Sequence, residues 1–443
     1  MSIGAARMGE AARMGGGTRF RLFAQPALLA GYREPITVEL SPRAGSLGPG
    51  PCDARMAVIR PIGKQLSYGE GLLRGRGHGL RPPWRGPLAA PALPDAAGHF
   101  DHLPVDDPAF AQAHAYACVR LALDVWERYL GVTVPWYFGA SQRWLEIGLL
   151  GEAYQNGEVG WGWLELGYDL ADDRPPLAFA LHLDIIAHEV GHLIVYGLLG
   201  EPDPARMTAE YAGFHEAAAD LVALLVAAQL DPVLDRSLHR TRGNLYGANE
   251  LNRLGELSAT TQIRIADNSA TMSEFALGWS DEHELSEPFT GAVFDLLLDI
   301  YQAHLVARGL IPRSLADMVV EVGHLRSFAP IMQAEFDRHY PKAPAAFRAA
   351  LVDARDRLGH LLAQMLHRLA GHPVTYVAAR DALLAAERAM GGAFAEAIMD
   401  NFAWRRIGAV PVGPYLGAHH EAATGARLGL HRCAKRVAAP AKG

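Results

Sequence analysis

The sequence predicts an α+β fold in which a strand-rich part precedes a mainly helical part. Residues 1 to about 100 carry clusters of glycine and proline, which are typical of loops and short strands. Between Val132 and Tyr168 the chain is rich in glycine and aromatic residues, which indicates short strands and turns. Apolar residues recur at helical spacing from 177 to 199, from 211 to 230 and after Pro288.

The first long helix is predicted where the glycine-rich region ends. Asp107 and Pro108 favour a helix N-terminus, because Asp caps the first backbone N–H groups and Pro fits the first turn. Apolar residues then follow at helical spacing as far as Leu130, and Gly131 is a typical stop.

Composition limits the class of protein. The chain has 443 residues, half of them hydrophobic, which is enough for a large core. The net charge of -7 argues against a nucleic-acid partner, and no apolar run is long enough to insert into a membrane. Three scattered cysteines, Cys52, Cys118 and Cys433, favour a reducing compartment. No signal peptide is recognised, so we expect a cytoplasmic protein.

The chemistry is concentrated in a segment of the form HExxH. His188 and His192 are four residues apart, so on a helix both imidazoles project from one face and can bind one metal ion. Glu189 lies beside them, where a carboxylate can accept a proton from a metal-bound water. Val195 and Leu198 replace the glycine and third histidine of the longer HExxHxxGxxH motif, so a third ligand must come from elsewhere.

A second segment, HEAAAD, supplies two further carboxylates. Glu216 and Asp220 are also four residues apart and share one face of the next predicted helix. Together, HEVGH and HEAAAD resemble the motifs of the thermolysin-like gluzincins, a family of zinc metallopeptidases. The resemblance implies one zinc ion held by His188, His192 and Glu216, with Asp220 accepting a hydrogen bond from a zinc-bound histidine.

The same resemblance extends over residues 100 to 410. It implies a zincin fold, in which the zinc site lies between a strand-rich N-terminal lobe and a mainly helical C-terminal lobe. It identifies His283 as a catalytic residue that stabilises the tetrahedral intermediate, and Ala153 as a substrate-binding residue on an edge strand. We therefore divide the chain at residues 1-100, 101-235, 236-425 and 426-443, the last being a basic tail.

The chain departs from the family at several positions. Glu152 stands where the edge strand usually has an amide, and His215 stands where an asparagine usually precedes the third ligand. Tyr211 and Tyr196 are the candidates for a tyrosine that assists His283. The acidic residues of the family's calcium site are missing, so calcium is not expected, and no propeptide is recognised.

The interpretation is a zinc-dependent peptidase with peptide or protein substrates, in which Glu189 is the general base. Two alternatives stay open: a non-catalytic zinc-binding scaffold for protein interaction, and a zinc hydrolase of non-peptide substrates. The sequence does not distinguish endopeptidase from exopeptidase action. His182 and His215, which lie close to the motif residues, are interpreted as structural histidines.

Overall fold

The structure, a computed structural model, describes residues 16–73, 81–171, 174–200, 207–258, 260–322, 329–416 and 431–432. Within them the fold mixes helices and strands, as predicted. The strands are β1 Gly17–Leu22, β2 Ile36–Arg43, β3 Met56–Ile59, β4 Leu145–Leu149, β5 Gly157–Gly160, β6 Trp163–Leu166, β7 Tyr168–Ala171, β8 Arg174–Ala178, β9 Arg253–Glu256, β10 Gln262–Ile265 and β11 His431–Arg432. The helices are α1 Tyr68–Leu73, α2 Pro108–Leu130, α3 Leu183–Leu199, α4 Ala209–Ala227, α5 Asp231–Thr241, α6 Glu282–Ala307, α7 Arg313–Val322, α8 Ala329–His339, α9 Pro344–Leu369, α10 Tyr376–Ala389 and α11 Ala395–Trp404.

Helix α2 lies at the centre of the core, and its predicted ends are confirmed. The Asp107 carboxylate accepts a hydrogen bond from the backbone N–H of Ala109 at 2.8 Å. Gly131 ends the helix with a φ of 70°, a conformation that suits glycine because it has no Cβ. Most of α2 is buried, and it packs against α3, α9 and β1. The helix therefore supports the elements that carry the HExxH motif.

The largest sheet places strand β5, the second strand from one edge, beside the HExxH helix. Its strand order is β11-β5-β6-β4-β3, with β5 antiparallel to both of its neighbours. Because side chains alternate along a strand, Gly157 and Val159 of β5 face α3, whereas Glu158 points to the other face of the sheet. A Cβ on Gly157 would lie 3.7 Å from a carboxylate oxygen of Glu189. Strand β5 thus runs directly past the predicted base.

Helices α3 and α4 are brought together by a glycine inside the motif. A Cβ on Gly191 would lie 2.6 Å from the Cα of Ala219, closer than real Cβ atoms approach a backbone. The absence of a side chain there lets the two helices pack nearly backbone to backbone. This contact brings the face with His188 and His192 against the face with Glu216.

Two predicted helix boundaries were wrong. The helix expected from residue 177 begins at Leu183, because Arg174–Ala178 pairs with β7 as a strand and a short 3₁₀ turn follows. The helix expected after Pro288 begins six residues earlier, at Glu282. Its first turn is capped by Asp281, whose carboxylate accepts the backbone N–H of His283 at 2.8 Å. His283 is therefore held on a helix and not in a loop.

The predicted divisions at residues 100, 235 and 425 remain predictions. Of the basic tail 426-443 the structure describes only His431 and Arg432, and the rest lies outside the described residues. Their backbone pairs with Val159 and Glu158 of β5. Among the described helices, none alone has the length and hydropathy of a membrane span, although α4 and α5, bent by 92°, meet that test as a pair.

Candidate metal centre

The centre begins with three buried side chains on helix α3. His188, Glu189 and His192 all lie in the part of α3 that the core covers. The Nε2 atoms of the two histidines face each other at 3.1 Å. Two imidazole nitrogens at that separation would repel each other if both carried a hydrogen. This arrangement therefore suits a cation that both nitrogens bind.

Glu216 on α4 brings its carboxylate to both histidines. One of its carboxylate oxygens lies 3.3 Å from Nε2 of His188, and the other lies 3.6 Å from Nε2 of His192. A tetrahedral zinc with ligands at about 2.0–2.2 Å requires ligand atoms about 3.3–3.6 Å apart. In the part of the chain that the structure describes, no other set of three His, Cys, Asp or Glu side chains converges in this way. The geometry and the donor types therefore fit one zinc ion.

The outer nitrogen of His188 is held by a carboxylate and an arginine. Nδ1 of His188 lies 2.8 Å from Asp220, which accepts its hydrogen. Arg264 on β10 donates two hydrogen bonds to the same carboxylate, at 2.7 and 2.6 Å. Asp220 thus orients the histidine, and Arg264 orients Asp220. Sequence reasoning missed Arg264, since a single arginine in a short hairpin carries no motif.

The structure also brings His283 to the centre. Its Nδ1 lies 2.8 Å from a carboxylate oxygen of Glu216 and 3.2 Å from a guanidinium nitrogen of Arg264. These contacts connect the first turn of α6 to α4 and to β10. The residue that the sequence assigned to the transition state therefore touches a predicted metal ligand.

Glu189 differs from the other carboxylates of the centre. Both of its oxygens are buried, and among the described residues neither has a hydrogen-bond partner. A buried carboxylate without a donor is costly, which is consistent with a water molecule or cation as its partner. Burial raises the pKa of Glu189 to about 8.

The charges of the centre are strongly coupled. Burial alone would lower the pKa of His188, but hydrogen bonds to Asp220 and Glu216 outweigh it and raise that pKa to about 9. Burial alone would raise the pKa of Glu216, but the neighbouring His283 and His192 hold it well below its usual range. The carboxylate ligand is therefore ionised, whereas a metal must displace a proton from His188.

The predicted strand position of Ala153 was wrong, whereas its contact with substrate stays a prediction. Ala153 is an exposed turn residue that precedes β5, so it does not lie on the edge strand. The strand beside Glu189 is Gly157–Gly160 instead. That Tyr196 or Tyr211 assists His283 also stays a prediction; their ring centres lie 4.3 and 5.6 Å from that of His215.

Comparisons with known proteins find only a distant structural likeness. No protein-family model matches the chain, and no curated protein matches it by sequence. Among solved structures, it is similar to the precursor of protealysin, a metalloproteinase from Serratia proteamaculans, with a TM-score of 0.45. The identity is 10%, and the similarity covers 82% of this chain and 90% of that chain. At this distance the likeness does not establish a family, so the case for a function depends on the geometry of the metal centre.

Proposed function

We propose that this protein is a zinc-dependent peptidase of the thermolysin-like gluzincin type. One zinc ion would be held by His188, His192 and Glu216, with Glu189 as general base. The observation that carries the proposal is the convergence of two imidazole nitrogens, 3.1 Å apart, and the Glu216 carboxylate, whose oxygens lie 3.3 and 3.6 Å from them, beside a second buried carboxylate. When bound, zinc would acidify a water molecule and polarise a carbonyl group.

Glu189 would move the protons of the reaction. It would take one from the water that attacks the peptide carbonyl and return it to the leaving amine. Its carboxylate lies next to His188 in the chain, and no described residue hydrogen-bonds to it. A cation among the neighbouring ligands would lower its pKa from about 8 and keep the base ionised near neutral pH.

His283 and Arg264 would stabilise the negative charge that develops on the carbonyl oxygen. Nδ1 of His283 lies 2.8 Å from the ligand Glu216 and 3.2 Å from a guanidinium nitrogen of Arg264, and both side chains can donate hydrogen bonds. His283 is held by the capped first turn of α6, and Arg264 is held by the β9–β10 hairpin and by Asp220. Donors fixed in this way need little rearrangement during the reaction.

A peptide substrate is supported by the edge of β5. On the side away from β6, this strand pairs with another extended segment, residues His431–Arg432 of the chain itself. An edge that accepts one extended strand beside Glu189 can accept a peptide by the same backbone hydrogen bonds. In the proposed arrangement, Ala153 contacts the substrate from the turn that leads into β5.

The test is cleavage of an unstructured polypeptide by the purified, zinc-loaded protein, with and without a chelator. Glu189→Gln keeps the shape of the side chain but removes the base, so we expect a loss of about 10²-fold or more in kcat. Glu396→Gln, an exposed position on α11, is the matched control and should leave kcat unchanged.

The outcomes separate the alternatives. Undiminished cleavage by Glu189→Gln would refute the mechanism. A wild-type protein that binds one zinc ion but cleaves neither peptides nor other esters and amides would be a binding scaffold. Zinc-dependent turnover of small esters or amides, without any peptide cleavage, would indicate a hydrolase of another substrate class.

A further inference from the structure

We propose that His215 is a positioning residue for the zinc ligand His192, acting through a hydrogen bond between two imidazole rings. The inference rests on the zinc-binding part of the proposed function and not on peptide hydrolysis. It also replaces the interpretation of His215 as an ordinary structural histidine.

The geometry shows a direct bond and not a stacked pair. Nδ1 of His215 lies 2.7 Å from Nδ1 of His192. The two rings are inclined by only 19°, and their centroids are 4.9 Å apart. That centroid separation exceeds the nitrogen separation by about two ring radii, so the rings lie edge to edge and nearly in one plane. This is the alignment that a hydrogen bond between ring nitrogens requires.

Zinc binding dictates which ring donates. A neutral imidazole has one N–H donor and one acceptor nitrogen. If Nε2 of His192 binds zinc, its hydrogen must be on Nδ1, which then donates to His215. Nδ1 of His215 must therefore accept, and its own hydrogen must be on Nε2. His215 thus selects the tautomer of His192 that leaves Nε2 available to the metal.

The two histidine ligands are consequently supported by different chemistry. His188 donates to the ionised carboxylate of Asp220, which adds a negative charge to the centre. His192 donates to an imidazole, which adds an acceptor without a negative charge. Because Glu216 is ionised as well, an uncharged support for His192 limits the number of buried anions.

The surroundings of His215 hold its ring in place. His215 is completely buried on α4, one residue before Glu216. The rings of Tyr196 and Tyr211 pack against it from α3 and from the preceding turn of α4. Since the ring orientation is fixed by packing, the acceptor nitrogen stays directed at His192.

The experiment must distinguish hydrogen bonding from packing. His215→Phe keeps an aromatic ring but removes the acceptor, whereas His215→Asn places an amide oxygen near the position of Nδ1. Zinc affinity is measured by competition with a chromophoric chelator, and the visible absorption of bound Co²⁺ reports the geometry of the ligands. Both readouts are independent of enzymatic activity.

We expect His215→Phe to weaken zinc binding about 10- to 100-fold and to alter the Co²⁺ spectrum. His215→Asn should recover most of the affinity. His182→Phe is the control, because His182 is equally buried but its Nε2 bonds the backbone oxygen of Glu256 at 2.9 Å, away from the ligands. It should bind zinc as the wild type does.

Equal zinc affinities for His215→Phe and wild type would overturn the inference, as would an equal loss in His215→Phe and His215→Asn. A protein that binds zinc with the expected ranking of variants but cleaves no peptide would leave this inference standing and refute only the proposed peptidase. The two failures are therefore distinguishable.

Discussion

Two clusters of buried charged groups lie on opposite sides of strand β5 and its neighbours. The metal centre lies on the side of the sheet that α3 and α4 cover. The second cluster, which we call the sheet cluster, consists of Lys64, Tyr68, Glu146 and Glu165 on the other face of the sheet. Glu146 and Glu165 point the same way because Glu146 is two residues before Gly148, which pairs with Glu165.

The carboxylates of the sheet cluster are satisfied by the protein itself. Glu146 accepts hydrogen bonds from the Tyr68 hydroxyl at 2.6 Å and from the backbone N–H of Trp84 at 2.8 Å. Glu165 accepts the backbone N–H of Tyr68 and forms an ion pair with Lys64. The Lys64 ammonium also lies 3.0 Å from the centre of the Tyr68 ring, a cation–π contact.

The difference shows how buried charge can be assigned to structure or to function. In the sheet cluster, Glu146 accepts two protein hydrogen bonds, and Glu165 has one protein hydrogen bond and one cation, so neither carboxylate calls for a further ligand. In the metal centre, three ligand atoms converge on one point, and Glu189 has no partner among the described residues. The first arrangement is complete within the protein, whereas the second fits a cation.

The largest expected loss of stability comes from a substitution in the sheet cluster. Burial raises the pKa of Glu165 to about 7 even with Lys64 beside it. In Lys64→Met the carboxyl would lose its cation and would have to take up a proton or remain charged in the protein interior, so we expect a loss of about 3–5 kcal/mol in the free energy of unfolding. Chemical denaturation measures it. The loss should be the same with and without a zinc chelator, and a zinc-dependent loss would break the distinction between the two clusters.

Metal removal provides the complementary test. Zinc at 100 times its dissociation constant should stabilise the wild type by about 3 kcal/mol, since only the folded state presents the three ligands. The same gain is expected in Lys64→Met but not in His192→Ala. Thermal unfolding with and without zinc gives the comparison, and an unchanged zinc effect in His192→Ala would contradict the ligand assignment.

A smaller loss of stability is expected from a substitution where α3 packs against α4. Gly191→Ala would place a Cβ 2.6 Å from the Cα of Ala219 and force the helices apart. We expect about 1–3 kcal/mol of destabilisation together with weaker zinc binding, because the ligands lie on both helices. Gly151→Ala is the control, since no heavy atom lies within 4 Å of its added Cβ. Normal zinc affinity in Gly191→Ala would argue against this role of the glycine.

Metal binding should release a proton from the metal centre, and this release tests the charges of the centre. Because the pKa of His188 is raised to about 9, its proton is bound at pH 7.5 and must leave when a metal binds. Calorimetry in buffers of different ionisation enthalpy should detect this release, which disappears as pH rises above 9. Asp220→Asn removes the charge that raises this pKa, so its release at pH 7.5 should be smaller.

The same shift affects the stability of the metal-free protein. A pKa that is higher in the folded state adds stability below about 6.5, the ordinary value for histidine, and this stability is lost as pH rises through about 9. We therefore expect the metal-free protein to unfold more easily at pH 9 than at pH 6. Denaturation at the two pH values, with Asp220→Asn beside the wild type, is the measurement.

The smallest expected effect is at the β5 edge. If substrates pair with β5, they compete with β11, so replacing His431 and Arg432 by proline should raise kcat/KM for peptides a few-fold. Replacing both by alanine keeps the backbone N–H groups and should have little effect. Equal rates in the proline variant and wild type would indicate that substrates do not use this edge.

Much of the site could be predicted from local spacing. A helix brings residues four positions apart onto one face, so His188 with His192, and Glu216 with Asp220, followed from the sequence alone. The ends of α2 could also be predicted from local sequence, because Asp107 and Gly131 act on the backbone next to them. The start of α3 was missed because pairing with β7 outweighed the helical preference of residues 177 and 178.

What remained was decided by contacts between distant parts of the chain. Arg264 is 44 residues from Asp220, and Lys64 is 101 residues from Glu165, so neither pairing leaves a periodic signal. The bond between His192 and His215 depends on the close approach of two helices at Gly191. The sequence by itself determined which side chains could bind a metal, and only the tertiary structure decided how each of them is oriented, because orientation depends on partners that folding brings together.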